Sequence, residues 1–253
     1  MSQSAHAEHV QQQFGAQAAA YLHSQVHAQG AEFAQLQQAV REHGAARVLD
    51  LGCGAGHVSF QLAEHAASVV AYDLSASMLQ VVADEAASRG LGTLTTRQGA
   101  AEQLPFADGE FDFVFSRYSA HHWGDLGLAL REARRVLKPG GKLAFIDVMS
   151  PGQPLLDTYL QAVEVLRDTS HVHNYAMAEW LAALSGAGWQ VQQVTRQKLR
   201  LEFGVWVERM RTPQTMREAI RLLQQSVGQE VRDYYAIEAD GSFTVDVIVL
   251  WAA

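Results

Sequence analysis

Ten residues constrain this chain more than any others: Val48-Leu49-Asp50-Leu51-Gly52-Cys53-Gly54-Ala55-Gly56-His57. A short apolar run, Arg47–Leu51, reads as a buried strand. Three glycines at alternate positions follow, and a helix opens at His57. Glycine has no Cβ, so the backbone there can turn sharply and come close to a ligand. The spacing is GxGxG, which departs from the GxGxxG dinucleotide fingerprint. Asp73 ends the next β-branched run, 17 residues beyond Gly56. A carboxylate at that place can accept hydrogen bonds from both hydroxyls of a ribose, so strand, loop, helix and acid together point to a ribose-containing cofactor. The bland alternative is a turn needed only for packing, with Asp73 as a favourable charge at a helix N-terminus.

The surrounding pattern alternates. Runs at 47–51, 68–72, 94–98, 111–116 and 142–148 read as strands. Those at 57–64, 75–88 and 126–136 read as helices, with Ser75 a suitable N-cap. Lys138-Pro139-Gly140-Gly141 is expected to stop the last of these helices before the fifth strand. Strands alternating with helices imply a parallel sheet covered on both faces. Residues 5–42 read as two helices broken near Gly30. After residue 151 come helices at 155–167 and 177–187, a strand at 191–203, a helix with Thr212 as N-cap and Pro213 as its first residue, and a final strand at 242–251. The stripe Leu156, Leu160, Val163 and Leu166 reads as core, as do Trp180 and Trp189. Arg217 and Arg221 read as a solvated face.

Composition narrows the class. The chain has 253 residues, 48% of them hydrophobic and 18% charged, an ordinary globular balance with enough length for a substantial core. One cysteine leaves no internal disulfide and no multi-cysteine zinc site. A net charge of −8 disfavours a broadly basic nucleic-acid surface. Neither a membrane span nor a secretory leader is visible, so the expected compartment is the cytoplasm.

The segments VLDLGCGAGHVS, VVAYDLS, GAAEQLPFADGEFDFVFSRYSAHHW and RVLKPGGKL together resemble the class I S-adenosylmethionine-dependent methyltransferases, nearest to the methyltransferase type 11 and ubiquinone/menaquinone biosynthesis group. The likeness is close over about residues 10–148 and looser beyond. It implies a Rossmann-like, doubly wound α/β fold. The sheet has seven strands and is mostly parallel, with an antiparallel last strand, N-terminal helices and a helical insertion. The expected layout is one domain, 1–253, with lid helices at 1–44, a cofactor core at 45–149 and a substrate-cap insertion plus the final strands at 150–253.

It also implies S-adenosylmethionine as cofactor and a small-molecule methyl acceptor, with no nucleic acid, in a monomer or homodimer. Gly52, Cys53 and Gly54 match the loop beneath the cofactor's methionine part, and Asp50 the acid that orients that loop or meets the amino group. Asp73 matches the ribose acid. Leu74 and Met78 match the apolar neighbours of adenine, Ala101 and Glu102 the segment along its edge, and Ser116 the position beside the methionine moiety. Tyr21 is a candidate lid residue and His27 a second. Ala100 stands where the family often carries an acid, so the adenine amino group needs another partner.

Catalytic candidates are Tyr118, His121 and His122, which follow the fourth strand where the crevice opens. Adjacent histidines make a poor metal site, and none is expected. Arg117 reads as a surface ion pair, with an anion-holding place in the crevice as the alternative. Two other readings are carried: a cofactor-binding protein without catalysis, and a nicotinamide-dependent oxidoreductase on the same sheet, against which the GxGxG spacing and VLKPGG argue.

Overall fold

The structure is a computed structural model and describes residues 5–15, 21–22 and 30–253. Its centre is β1 (Arg47–Leu51), four of whose five residues are buried. β2 (Ser68–Asp73) and β3 (Leu94–Gln98) add on one side of β1; β4 (Phe111–Arg117) and β5 (Leu137–Met149) add on the other, all parallel. β6 (Val191–Leu201) and β7 (Phe243–Ala252) complete a seven-stranded sheet of order β3-β2-β1-β4-β5-β7-β6. β7 is antiparallel to both neighbours, as the family resemblance implies.

The chain leaves β1 toward β2 and returns later to β4 on the opposite side. That reversal opens a crevice beyond the carboxyl ends of β1 and β4, the place where open α/β sheets bind ligands. Helices cover both faces, so β4 is buried along its whole length. Alternate residues serve opposite layers: Leu49, Leu51 and Val114 share one cluster with Phe145 and Trp180, whereas Val48, Phe113 and Phe115 share the other with Val249 and Trp251.

Among the described residues the helices are α1 (Ala5–Gly15), α2 (Glu32–His43), α3 (His57–Ala63), α4 (Ala76–Ser88), α5 (Leu126–Val136), α6 (Pro154–Arg167), α7 (Met177–Gly186), α8 (Phe203–Arg209), α9 (Gln214–Ser226) and α10 (Gln229–Tyr234). Ser75 caps α4, its Oγ accepting from the Met78 amide at 3.3 Å. The stripe on α6 is core: Leu156, Leu160 and Val163 are buried against Trp206 of α8 and Ile220 of α9, with Leu166 at the margin.

Some expectations are corrected. α9 begins at Gln214 after Pro213, and the Thr212 hydroxyl donates to the Arg167 carbonyl instead of capping the helix. Strand pairing in β5 begins at Leu137, not Lys142; Lys138–Gly141 is an irregularity in the ladder, opposite the register shift between Phe111 and Phe113. Two short helices, α8 and α10, flank α9 and carry Trp206 and Tyr234; each is a turn or two, too short to show a periodicity of its own. No helix of the described residues is long and apolar enough to cross a membrane.

Candidate active site

The loop after β1 bends because its three glycines adopt positive φ, +72° at Gly52, +51° at Gly54 and +85° at Gly56. A Cβ on Gly52 would lie 1.9 Å from the Ser119 Oγ, so only glycine lets the loop approach the segment after β4. At Gly54 a Cβ would meet nothing within 4 Å. Both loop amides at 52 and 53 donate to the Tyr72 carbonyl, and the Gly54 amide donates to Asp73 Oδ2 at 2.8 Å. Asp73 Oδ1 accepts from the Ser75 amide. The carboxylate thus braces the glycine loop and starts α4, and burial raises its pKa.

Asp50, on β1, accepts from the amide and hydroxyl of Ser59 through Oδ2 at 2.9 and 2.6 Å. Its Oδ1 is buried without a hydrogen-bond donor. Burial, outweighing those bonds, pushes the Asp50 carboxyl up to about 7. Burial also raises the Cys53 thiol well above its usual value, with Asp73 and Asp50 adding to the effect.

These groups border a cavity of about 1310 Å³ beyond the carboxyl ends of the strands. Ligand pockets commonly span roughly 300–1,000 Å³, so this one has room for two reactants side by side. Tyr21, Asp50, Gly52, Cys53, Gly54, Asp73, Leu74, Met78, Ala101 and Glu102 all line it, as do Tyr118 and His122. Glu102 accepts from the amides of Gly124 and Asp125, joining the two loops at one end. Ala100 also lines the wall.

Two expected residues stand off the wall: Ser116 is buried within β4 with its hydroxyl unpartnered, and His121 turns toward Asp147. His27 lies outside the described residues. Arg117 corrects the surface expectation. It is 8% exposed, lines the cavity and pairs with the buried Glu32 of α2 at 2.8 Å, its guanidinium over the rings of Phe33 and Tyr118.

The N-terminal helix, among the expected lid helices, forms part of the wall through residues not singled out as site residues. His6, Val10 and Phe14 of α1 line the cavity; their spacing of four residues places them on one helix face and was a usable signal. Asp147, which holds His121, and Asp168, which faces His122 at 3.8 Å, were also missed. Asp147 carried a sign, being a lone carboxylate in the apolar run of β5. Among the described residues no cluster of three or more His, Cys, Asp or Glu side chains is placed to hold a metal ion.

Sheet order, glycine loop and acid-tipped second strand define a nucleotide-cofactor enzyme of the doubly wound class. Residues 49–145 match the family model described as a methyltransferase domain. The chain is 56% identical over 199 residues to the protein YafE of Escherichia coli, covering 79% of this chain and 96% of that one. It is 31% identical over 224 residues to the methyltransferase YcgJ of Bacillus subtilis, 88% of each. The crystal structure of YcgJ superposes with a TM-score of 0.83 at 30% identity, over 87% of this chain and 97% of that one. The malonyl-[acyl-carrier protein] O-methyltransferase of Pseudescherichia vulneris is 34% identical over 184 residues, 72% of this chain and 70% of that one. The chain belongs to the S-adenosylmethionine-dependent methyltransferases.

Proposed function

We propose that the protein transfers the methyl group of S-adenosylmethionine to a small-molecule acceptor held in the same cavity, by direct in-line displacement. One observation carries the reading. A single cavity of about 1310 Å³ runs from the glycine loop and Asp73 to Tyr118, Ser119 and His122, so cofactor and acceptor fit within one enclosure.

The chemistry of the wall suits this cofactor. The orphaned Oδ1 of Asp50 calls for a cationic or N–H donor, which an α-ammonium group supplies. Open space before Gly54 admits a close approach to the backbone. Gly52, Cys53 and Gly54 would underlie the amino-acid part, Asp73 the ribose, and Leu74, Met78, Ala101 and Glu102 the adenine, with Tyr21 as cover. Ser116, off the wall, is left out of this set. The cofactor supplies a methyl group already activated on a sulfonium sulfur. What remains for the protein is to orient the acceptor and exclude water, and good orientation contributes on the order of 7–11 kcal/mol in favourable systems. A recessed cavity in a chain of net charge −8 favours a small acceptor over a nucleic acid.

Calorimetry with S-adenosylmethionine and S-adenosylhomocysteine tests the first half. Binding by the wild type and its loss in a Gly54→Val, Asp73→Ala double variant support the reading; no heat from either ligand overturns it. Transfer of labelled methyl groups from S-adenosylmethionine into the small-molecule filtrate of a bacterial lysate tests the second half.

A further inference from the structure

His121 and His122 share one 3-10 turn, Ala120–His122, yet face different surroundings. His122 lines the cavity. Its Nδ1 lies 3.1 Å from the backbone carbonyl oxygen of Ser170. A carbonyl only accepts, so Nδ1 carries the proton and Nε2 keeps its lone pair. Nε2 faces Asp168 Oδ2 at 3.8 Å, and that oxygen is buried with no donor. The other carboxylate oxygen is held by the amide and hydroxyl of Ser170 at 2.9 and 2.6 Å, so Asp168 is fixed in place. Two acceptors therefore oppose one another across a gap too long for a hydrogen bond. A proton arriving on Nε2 satisfies both and sets the new positive charge beside a carboxylate.

His121 is off the cavity wall. Its Nδ1 donates to Asp147 Oδ1 at 2.6 Å, an oxygen also held by the Val148 amide. Its ring centroid is 4.2 Å from that of His122.

Resting on the methyl-transfer reading, we propose that His122 Nε2 is the general base that takes the proton from a protic acceptor, and that His121, held by Asp147, is a positioning residue. The acceptor's nucleophilic atom carries an acidic hydrogen, as in a hydroxyl or an activated carbon acid. Its electron pair forms the new bond to the methyl carbon, and the carbon–sulfur pair stays on sulfur, which becomes neutral. The acceptor's proton passes to Nε2 and later to water, so the charge lost at sulfur appears on His122.

The electrostatics agree with this division. Burial, and after it the neighbouring His121, pull His122 down and keep it neutral at physiological pH. For His121 burial also pulls down, but the Asp147 carboxylate at 2.6 Å outweighs it and raises the ring above its usual value, toward the charged form. The other groups facing His122 are Asp168, His171 with its ring centroid 6.4 Å away, and His6 of α1, which donates to the His122 carbonyl. Tyr118 is a poor base: burial pushes its phenol up to about 12, and its ring lies against the Arg117 guanidinium.

Nitrogen-15 histidine spectra of the full chain with S-adenosylhomocysteine test the tautomers. The expected result from pH 6 to 8 is a protonated Nδ1 and bare Nε2 at His122, with a proton on Nδ1 of His121 facing Asp147. A proton on Nε2 of neutral His122 overturns the proposal. His122→Asn keeps a donor for the Ser170 carbonyl and removes the base. It is expected to bind S-adenosylhomocysteine like the wild type while methyl transfer into the lysate filtrate falls about 100-fold or more; retained transfer overturns the proposal. In His121→Gln the loss of the neighbouring ring raises His122, so transfer drops on the acid side of a pH profile that is flat in the wild type; an unchanged profile removes the role of His121. A wild type that binds no S-adenosylhomocysteine, or transfers no label, sinks the methyl-transfer reading itself and this proposal with it.

Discussion

Asp73 at the tip of β2 accepts the backbone N–H of Gly54 at 2.8 Å, so the loop following one strand is braced by the last residue of the next. The same carboxylate accepts the Ser75 amide. Asp73→Ala removes both bonds and is expected to cost about 2–3 kcal/mol of stability, the range for hydrogen bonds to a charged group. Asp73→Asn retains one acceptor and loses less. Both variants are expected to bind S-adenosylhomocysteine at least about tenfold more weakly, a loss of about 1.4 kcal/mol. Urea unfolding and calorimetry on the two proteins separate the contributions. Equal affinity in Asp73→Asn and wild type would confine Asp73 to bracing the loop.

The fold was legible where its causes are local. Val48–Leu51 is an apolar run too short for a helix, Gly52 and Gly54 permit the turn, and Ser75 caps the helix after Asp73; each requirement sits within a few residues. The partners of the histidines were not legible in this way. Asp147 comes from the end of β5 and Asp168 from the end of α6, and only the packed sheet brings them to the turn after β4. Arg117 was misplaced for a related reason. An arginine at a strand end is ordinarily solvated, and its burial depends on Glu32, 85 residues earlier in the chain. Thr212-Pro213 shows the opposite failure, a good local cap pair overruled by a tertiary hydrogen bond to the Arg167 carbonyl.

Asp50 gives stability a pH dependence of definite sign. Burial raises its carboxyl from the usual range to about 7, so between roughly pH 4 and 7 the native state holds a proton that the unfolded chain has released. Stability is therefore highest below that window and falls as pH rises through it, with roughly 4 kcal/mol as the ceiling for a shift of this size. Asp50→Asn, neutral throughout, removes that dependence. Melting temperatures of wild type and variant from pH 5 to 8 check it: the wild type is expected to lose stability relative to Asp50→Asn across the range. Parallel curves would mean that Asp50 is already ionised in the folded protein at pH 5.

α1 has no buried residue, yet it closes one side of the cavity. His6 donates to the His122 carbonyl, and His9 and Gln13 are hydrogen-bonded to the Thr169 hydroxyl at 2.8 Å. Phe14 adds edge-on ring contacts to Tyr21 and His122, but with no side chain fully buried the helix adds little to global stability. Deleting residues 1–15 is expected to lower the melting temperature by only a few degrees, since 1 kcal/mol corresponds to about 2–4 °C in a chain of this size. Release of S-adenosylhomocysteine, followed by stopped flow, is expected to quicken about tenfold or more as the cavity opens. Unchanged release would show that α1 does not cover the bound ligand.

Glu32 and Arg117 tie the segment before the sheet to the end of β4. Both side chains are almost wholly buried, at 2% and 4% exposure, and two guanidinium nitrogens lie 2.8 Å from one carboxylate oxygen. Removing one member of such a pair strands a charge in the interior and costs about 3–5 kcal/mol, whereas replacing both by apolar groups of similar volume is often neutral. Glu32→Leu is expected to fall in the destabilising range, and the double variant Glu32→Leu, Arg117→Met to recover much of the loss in urea unfolding. The double variant should still bind S-adenosylhomocysteine less well, because Tyr118 stands at φ +53° on the cavity wall with its ring against the guanidinium. A side chain of that size in the left-handed region costs on the order of 1–3 kcal/mol, and the strain persists only while its surroundings enforce it. Without Arg117 the backbone at Tyr118 is free to relax toward negative φ, turning the ring off the wall. Recovery of stability together with wild-type affinity would instead assign the pair to folding alone and leave the shape of the cavity to Ser119 and the glycine loop.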